Sequence, residues 1–359
     1  MTRSTNEPAT GSRVDVRPGT RMRVSVLRAP GDLVVEERDV PRPGPHEVLV
    51  RVASVGVCGS DVHYFEHGRI GDHVVAQPLV LGHEASGTVV EAGAAVTRLQ
   101  VGQRVSLEPG VPDLTCTECL AGRYNLCPAV RFWATPPVDG AFAELLTAHE
   151  LFAHPVPDHL SDDAAALLEP LSVALWACRK GRVGPGSRVL VTGAGPVGLL
   201  AVQVAAVAGA VEVVVSDVNA HRLALAADLG ATEVLDVSET PLHRSRSTPD
   251  VLLECSGSPA ATREAIGVVA PAGRVVLVGM GGDEVPLPVS RIQERELVVT
   301  GTFRYANTWP TAIALAASGR VELDRLVSGH FGLDRVRDAL LAPRTDPRTI
   351  KPVVRPGAS

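Results

Sequence analysis

Three side chains with metal-binding atoms stand within one short stretch of the chain: Cys58 in VGVCGSDVHY, and His83 with Glu84 in PLVLGHEASGTV. A thiolate, an imidazole and a carboxylate form a ligand set that zinc accepts while keeping a fourth position open for water or substrate. A lone cysteine or histidine is more often a core residue, but a GHE tripeptide flanked by glycines in strand-like sequence is harder to read as packing. A second group follows, in which Cys116, Cys119 and Cys127 crowd into twelve residues with spacing C-x2-C-x7-C. No secretory leader is expected, so the six cysteines should stay reduced, and the crowding points to a metal before it points to disulfides. Cys178 and Cys255 lie in apolar segments and read as core residues.

A further constellation carries no metal-binding atoms. Gly193, Gly195 and Gly198 spell G-x-G-x-x-G between the apolar run SRVLVTG and a helical stretch that opens at Pro196. In that setting the first glycine permits a tight turn, and the second lets backbone approach a pyrophosphate at the helix N-terminus. The third lets helix and strand pack closely. Asp217 ends the next strand-like run, VEVVVSD, nineteen residues past Gly198. A carboxylate there accepts hydrogen bonds from both ribose hydroxyls and repels a 2'-phosphate, so NAD is expected rather than NADP. Arg222 reads as a side chain that stacks on the adenine or contacts the ribose.

These groups need two kinds of scaffold, and the sequence has two textures. From Met22 to about Glu150, short apolar runs such as EVLVRVASVG and EASGTVVEAG are broken by glycine and proline, which predicts a small, mostly β domain closed as a barrel. From Ser187, strands at SRVLVTG, VEVVVSD, EVLDV, DVLLECSG, RVVLVG and LVVTGTF are mostly separated by helices, over residues 196–209, 220–229 and 260–269. That alternation predicts a doubly wound parallel sheet. A helix over residues 310–318, with its proline in the first turn, opens a tail expected to pack back on the first domain. The expected division is a disordered tail over 1–21, a discontinuous catalytic domain over 22–170 and 307–359, and an NAD-binding domain over 171–306.

With 359 residues, 45% hydrophobic and 21% charged, the chain has apolar side chains for two cores and a soluble surface. A net charge of -6 without any basic run argues against a nucleic-acid partner. The polar N-terminal stretch has no apolar core of the kind a secretory signal needs. The uncharged stretch from Gly193 to Val211 reads as a buried helix rather than a membrane span, so a cytoplasmic protein is expected.

In CGSDVHY, GRIG, LGHEASGTV, the EPG after QRVSL, GRYNLCP, ATPP, EPLSV, GAGPVG and FRYANTWP, taken in order, the chain resembles the zinc-dependent medium-chain dehydrogenases. Within them it is most similar to the sorbitol and xylitol (polyol) dehydrogenases, from about Met22 to the C-terminus. The resemblance implies an α/β protein with a GroES-like β-barrel catalytic domain and a Rossmann coenzyme domain, assembled as a homotetramer. It implies an NAD-dependent enzyme that takes hydride from a polyol's secondary alcohol to give a ketose. Zinc on Cys58, His83 and Glu84 would act as the Lewis acid, and one thiolate with one carboxylate would leave the dication formally neutral.

Glu169, in LLEPLSV, matches a position that ligates zinc in other members of the superfamily, directly or, in polyol dehydrogenases, through water. Ser60 and His63 match a proton relay to solvent. Tyr64, Glu169, Arg304 and Tyr305 match polyol-binding positions, and Phe132 a pocket wall. Coenzyme contacts are expected from Val197, Val278, Met280, Phe303 and Arg304 besides the glycines, Asp217 and Arg222. The cysteine group fills the last three positions of the superfamily's structural zinc loop, with Asp113 where the first cysteine would stand. Aspartate can ligate zinc, so a second, structural zinc is expected there, away from the hydride. A zinc dehydrogenase of vicinal diols or threonine is the alternative enzyme. A non-catalytic dinucleotide-binding member is disfavoured because all three catalytic ligands are present.

Overall fold

Gly193 ends the central strand of a six-stranded parallel sheet and turns the chain into a helix. In this computed structural model, which describes residues 19–244, 247–282 and 284–358, the sheet consists of β1 (Arg188–Thr192), β2 (Glu212–Asp217), β3 (Glu233–Asp236), β4 (Val251–Glu254), β5 (Arg274–Leu277) and β6 (Val298–Gly301). Its spatial order is β3-β2-β1-β4-β5-β6, parallel throughout. The order reverses between β1 and β4, which opens a crevice at the carboxyl ends of these strands. β1 and β4 are nearly continuous in Val and Leu because helices cover both faces of the sheet. Helices Pro196–Val207, Ala220–Asp228 and Pro259–Val268 lie within a residue or two of their expected spans.

The other sheet centres on strand Glu47–Gly56, which pairs antiparallel with Glu84–Ala92, Leu145–His149 and Lys351–Val354. It has seven strands; a three-stranded sheet built on Arg21–Ala29 bridges to it where Val24 faces Ala143. The apolar cluster enclosed by these strands takes in Val26, Val50, Val55, Ala85 and Phe142. The tail after residue 307 supplies helix Trp309–Ala317, packed on helix Leu168–Gly181, and strands Val327–Phe331 and Lys351–Val354, which complete the seven-stranded sheet. Residues 1–18 of the expected N-terminal tail lie outside the described residues; Arg21 already begins a strand.

Two helices that hold functional side chains had no counterpart among the sequence expectations: Gly59–His67 and Leu168–Gly181. The second is buried along most of its length, so its apolar residues show no stripe. Among the described residues no helix is long and apolar enough to cross a membrane.

Candidate active site

Strands Glu47–Gly56 and Glu84–Ala92 are in register with Gly56 opposite Glu84. The chain continuing to Cys58 therefore arrives beside His83 and Glu84, and one ligand atom from each of the three lies within 4.8 Å of the others. Gly56 makes room for this: a Cβ there would come within 2.1 Å of Glu84 Oε2. His83 and Glu84 are buried and Cys58 is half-buried. One sulfur, one imidazole nitrogen and one carboxylate within reach of a single ion are donor types that suit zinc.

Asp61 organises two of the ligands and was missed among the sequence expectations. It is buried three residues into helix Gly59–His67, where its Oδ2 accepts the Cys58 N–H at 3.0 Å and its Oδ1 accepts the Gly82 N–H at 2.9 Å. Oδ1 also stands 3.5 Å from His83 Nδ1, which leaves Nε2 for a metal. Burial alone would lower the His83 pKa, but the Asp61 and Cys58 charges outweigh it and raise it well above the ordinary value. The sequence signal was there: an aspartate at the third helical position, in C-G-S-D, reaches back to the N-cap backbone.

Lys351 was also missed. Its Nζ donates to both Glu84 oxygens, at 2.7 and 2.8 Å, and to the Val57 carbonyl at 2.9 Å. Lysine and glutamate are 2% and 1% exposed. An ammonium therefore lies against the carboxylate of the ligand set, as the Asp61 carboxylate lies against its histidine. The only hint in TIKPVV is a charged residue inside an apolar strand.

Opposite the ligand set, Tyr305 donates to Glu169 Oε1 at 2.7 Å. Burial pushes Glu169 up to about 7 and brings Arg304 down to about 10. Phe132 fills the space between: its ring centroid is 5.7 Å from the His83 ring and 3.7 Å from the Arg304 guanidinium carbon. That guanidinium also lies 4.6 Å from the Phe303 ring, and its buried Nη1 has no hydrogen-bond partner. Tyr64 is buried. Ser60 is half-buried in the first turn of helix Gly59–His67, and His63 is exposed one turn on, its ring 4.6 Å from that of His67.

At the crevice, Gly193 has φ +83°, which favours glycine, and a Cβ at Gly198 would sit 1.8 Å from the Gly193 carbonyl oxygen. A Cβ at Gly195 would meet nothing within 4 Å, so backbone there faces open space. Asp217 Oδ2 accepts the Ala194 N–H at 2.6 Å, and Oδ1 accepts the Val218 and Asn219 N–H groups at 2.8 and 2.9 Å. The carboxylate thus braces the glycine turn at the tip of β2. Arg222 Nε is buried without a partner. Val197 lies in the first turn of helix Pro196–Val207; Val278 and Met280 follow the end of β5, and Phe303 follows β6.

Asp113, Cys116, Cys119 and Cys127 also gather their ligand atoms within 4.8 Å. Cys127 Sγ accepts the Asp113 N–H at 3.4 Å and Cys116 Sγ the Cys119 N–H at 3.5 Å. Asp113 Oδ1 accepts the Cys116 and Thr115 N–H groups, which hold its carboxyl down at about 2. Burial and the neighbouring thiols push Cys119 up to about 12, so a cation is needed to hold it as thiolate. The chain around this lobe is joined to the segment that follows β6. Asn125 Nδ2 donates to the Phe303 carbonyl at 2.8 Å, and Asn307 Nδ2 to the Gly122 carbonyl at 2.9 Å. The Tyr124 hydroxyl accepts the Asn307 N–H at 2.9 Å. These bonds clamp the segment bearing Arg304 and Tyr305, in which Arg304 and Asn307 hold φ of 53° and 56°.

Comparison with known proteins places the chain in a family. The alcohol dehydrogenase GroES-like domain family matches residues 44–158 and the zinc-binding dehydrogenase family residues 196–318. Sorbitol dehydrogenase of Gallus gallus is 46% identical over 329 residues, covering 89% of this chain and 92% of that one. The chain belongs to the zinc-dependent medium-chain dehydrogenases. It is an oxidoreductase acting on CH–OH donors. Among solved structures, an Escherichia coli oxidoreductase/dehydrogenase of unknown specificity superposes with TM-score 0.90 at 34% identity, over 94% of this chain and all of that one. L-idonate 5-dehydrogenase of Escherichia coli K-12 superposes with TM-score 0.87 at 28% identity, over 94% of this chain and 98% of that one.

Proposed function

We propose that the chain oxidises a secondary alcohol of a polyol, such as sorbitol, xylitol or a related pentitol or hexitol, to a ketose while reducing NAD. The observation that carries this reading is the meeting of the Cys58, His83, Glu84 set with the Glu169–Tyr305 pair and an Arg304 nitrogen without a partner. A polyhydroxylated chain needs several convergent donors and acceptors, and these side chains supply them where a simple alcohol would be met by apolar walls.

In this reading Cys58, His83 and Glu84 hold the catalytic zinc, with Glu169 hydrogen-bonded beside it. When bound, zinc supplies a Lewis acid that lets the alcohol give up its proton near neutral pH. Ser60 receives that proton and exposed His63 delivers it to solvent. Tyr64, Glu169, Arg304 and Tyr305 hold the substrate hydroxyls, and Phe132 closes the pocket. Gly193, Gly195, Val197 and Gly198 cradle the dinucleotide, Asp217 takes its ribose hydroxyls, and Arg222, Val278, Met280, Phe303 and Arg304 border it. Asp113, Cys116, Cys119 and Cys127 hold a second, structural zinc. The proposal extends to a cytoplasmic homotetramer, which cell fractionation and light scattering test.

Initial rates over a stereochemically complete set of pentitols and hexitols, with NAD and with NADP, test the reading. A polyol turned over with NAD far better than 2,3-butanediol or threonine supports it. Preference for the diol or for threonine replaces it with the related activity.

A further inference from the structure

Lys351 touches both chain segments that carry the ligand set, at Val57 beside Cys58 and at Glu84. All three of its ammonium protons are engaged: two on the Glu84 oxygens and one on the carbonyl of Val57, the residue before Cys58. Strand Lys351–Val354 brings it there by pairing with Glu47–Gly56, Val353 opposite Gly56. Nothing else need fill that place with a charge; a buried ion pair often stabilises a fold no better than apolar side chains of the same volume. The ammonium instead changes what Glu84 can give a metal. A carboxylate bonded through both oxygens to a buried cation has less charge to share, and the cation repels a dication on its far side.

We propose that Lys351 is a positioning residue that holds Glu84 as a deliberately weakened ligand, trading zinc affinity for a more electrophilic metal centre. The proposal rests on the zinc reading given above. The ammonium adds one positive charge to what zinc, one thiolate and one carboxylate would carry without it. That charge favours the alkoxide form of a substrate over the neutral alcohol, and Glu84 is the ligand through which it acts.

The test uses full-length Lys351→Met and Lys351→Gln, with zinc itself as the probe. Zinc affinity of the metal-free proteins is measured by chelator competition, the catalytic site being the one lost in Cys58→Ser. Turnover and thermal midpoints with and without zinc are read in parallel. The expected pattern is two effects of opposite benefit: zinc held tighter by on the order of tenfold, and kcat lower by at least about tenfold with little change in the KM for NAD. The metal-free variants should melt lower than wild type and recover more on adding zinc, because the metal then takes over the pairing of Glu84. Lys351→Gln keeps a donor for the Val57 carbonyl, so it reads the effect of charge if Lys351→Met fails to fold. Zinc affinity that falls or stays level while kcat falls would overturn the proposal and leave Lys351 as scaffold. A wild-type protein that binds no zinc at Cys58 would overturn the zinc reading and this proposal with it.

Discussion

Tyr305 and Glu169 meet through a single 2.7 Å hydrogen bond in a pocket where they are 3% and 5% exposed. Tyr305 follows the last strand of the coenzyme sheet, and Glu169 opens a helix more than a hundred residues earlier. Tyr305→Phe keeps the ring on Trp309, 5.3 Å away, and leaves the glutamate without its donor. An unsatisfied buried acceptor costs about 1–3 kcal/mol, so kcat/KM for polyol should fall roughly ten- to a hundredfold. The KM for NAD should hold. Initial rates measure both, and an unchanged kcat/KM would remove the pair from the substrate site.

Cys58→Ser should reduce turnover by about a hundredfold or more, since a serine hydroxyl is a poor substitute for a thiolate on zinc. Coenzyme binding, followed by fluorescence titration, should stay within a few-fold of wild type. A variant that kept most of its activity would show that the metal is not held by Cys58.

Asp217→Ala should narrow the preference for NAD over NADP by roughly tenfold, judged from kcat/KM. Because Asp217 also accepts the Ala194 N–H, both coenzymes should bind more weakly, and the ratio is the diagnostic quantity. A wild type that works better with NADP would hand control of the ribose to Arg222.

The cysteine lobe should bring the zinc content to about two per subunit, measured by elemental analysis of freshly purified protein. Cys119→Ser should lower the thermal midpoint by several degrees, with Asp113→Ala milder because three thiolates remain. The clamp from Asn125 and Asn307 adds an expectation the sequence did not support: the KM for polyol should rise as the lobe loosens. A content near one per subunit would sink the second zinc and spare the catalytic one.

Acid should weaken the attachment of the tail. Burial alone would raise the Asp163 carboxyl, but Arg355, Ser54 and His330 together hold it below its ordinary value. A depressed carboxyl stabilises the fold above its unfolded value of about 4, and the benefit is lost as pH falls through the lower folded value. Asp163→Asn should therefore melt below wild type at neutral pH, with the gap closing below about pH 4. A gap independent of pH would assign the loss to packing.

The glycine turn, the parallel strands and Cys58, His83 and Glu84 were legible because each depends on neighbours within a few dozen residues. Asp61 carried a local signal, yet a helix-capping aspartate is too common to mark a metal site. Lys351 carried almost none, for its partner is 267 residues away and only the pairing of two strands brings them together. Helix Leu168–Gly181 escaped for the opposite reason, being so thoroughly enclosed that no polar face punctuates it. The clamp between lobe and Arg304 segment arises from polar residues of ordinary type, whose meaning lies in separations of 178 and 185 residues.

The strand Lys351–Val354 also sets an order of events during synthesis. β1 to β6 follow one another along the chain without interruption from the other sheet, so the coenzyme sheet can assemble while translation continues. The sheet around Glu47–Gly56 gains strand Lys351–Val354 only after that strand has been made, and so long-range a pairing carries a loop-closure cost. Until that strand pairs, Glu84 lacks the ammonium that Lys351 brings to it.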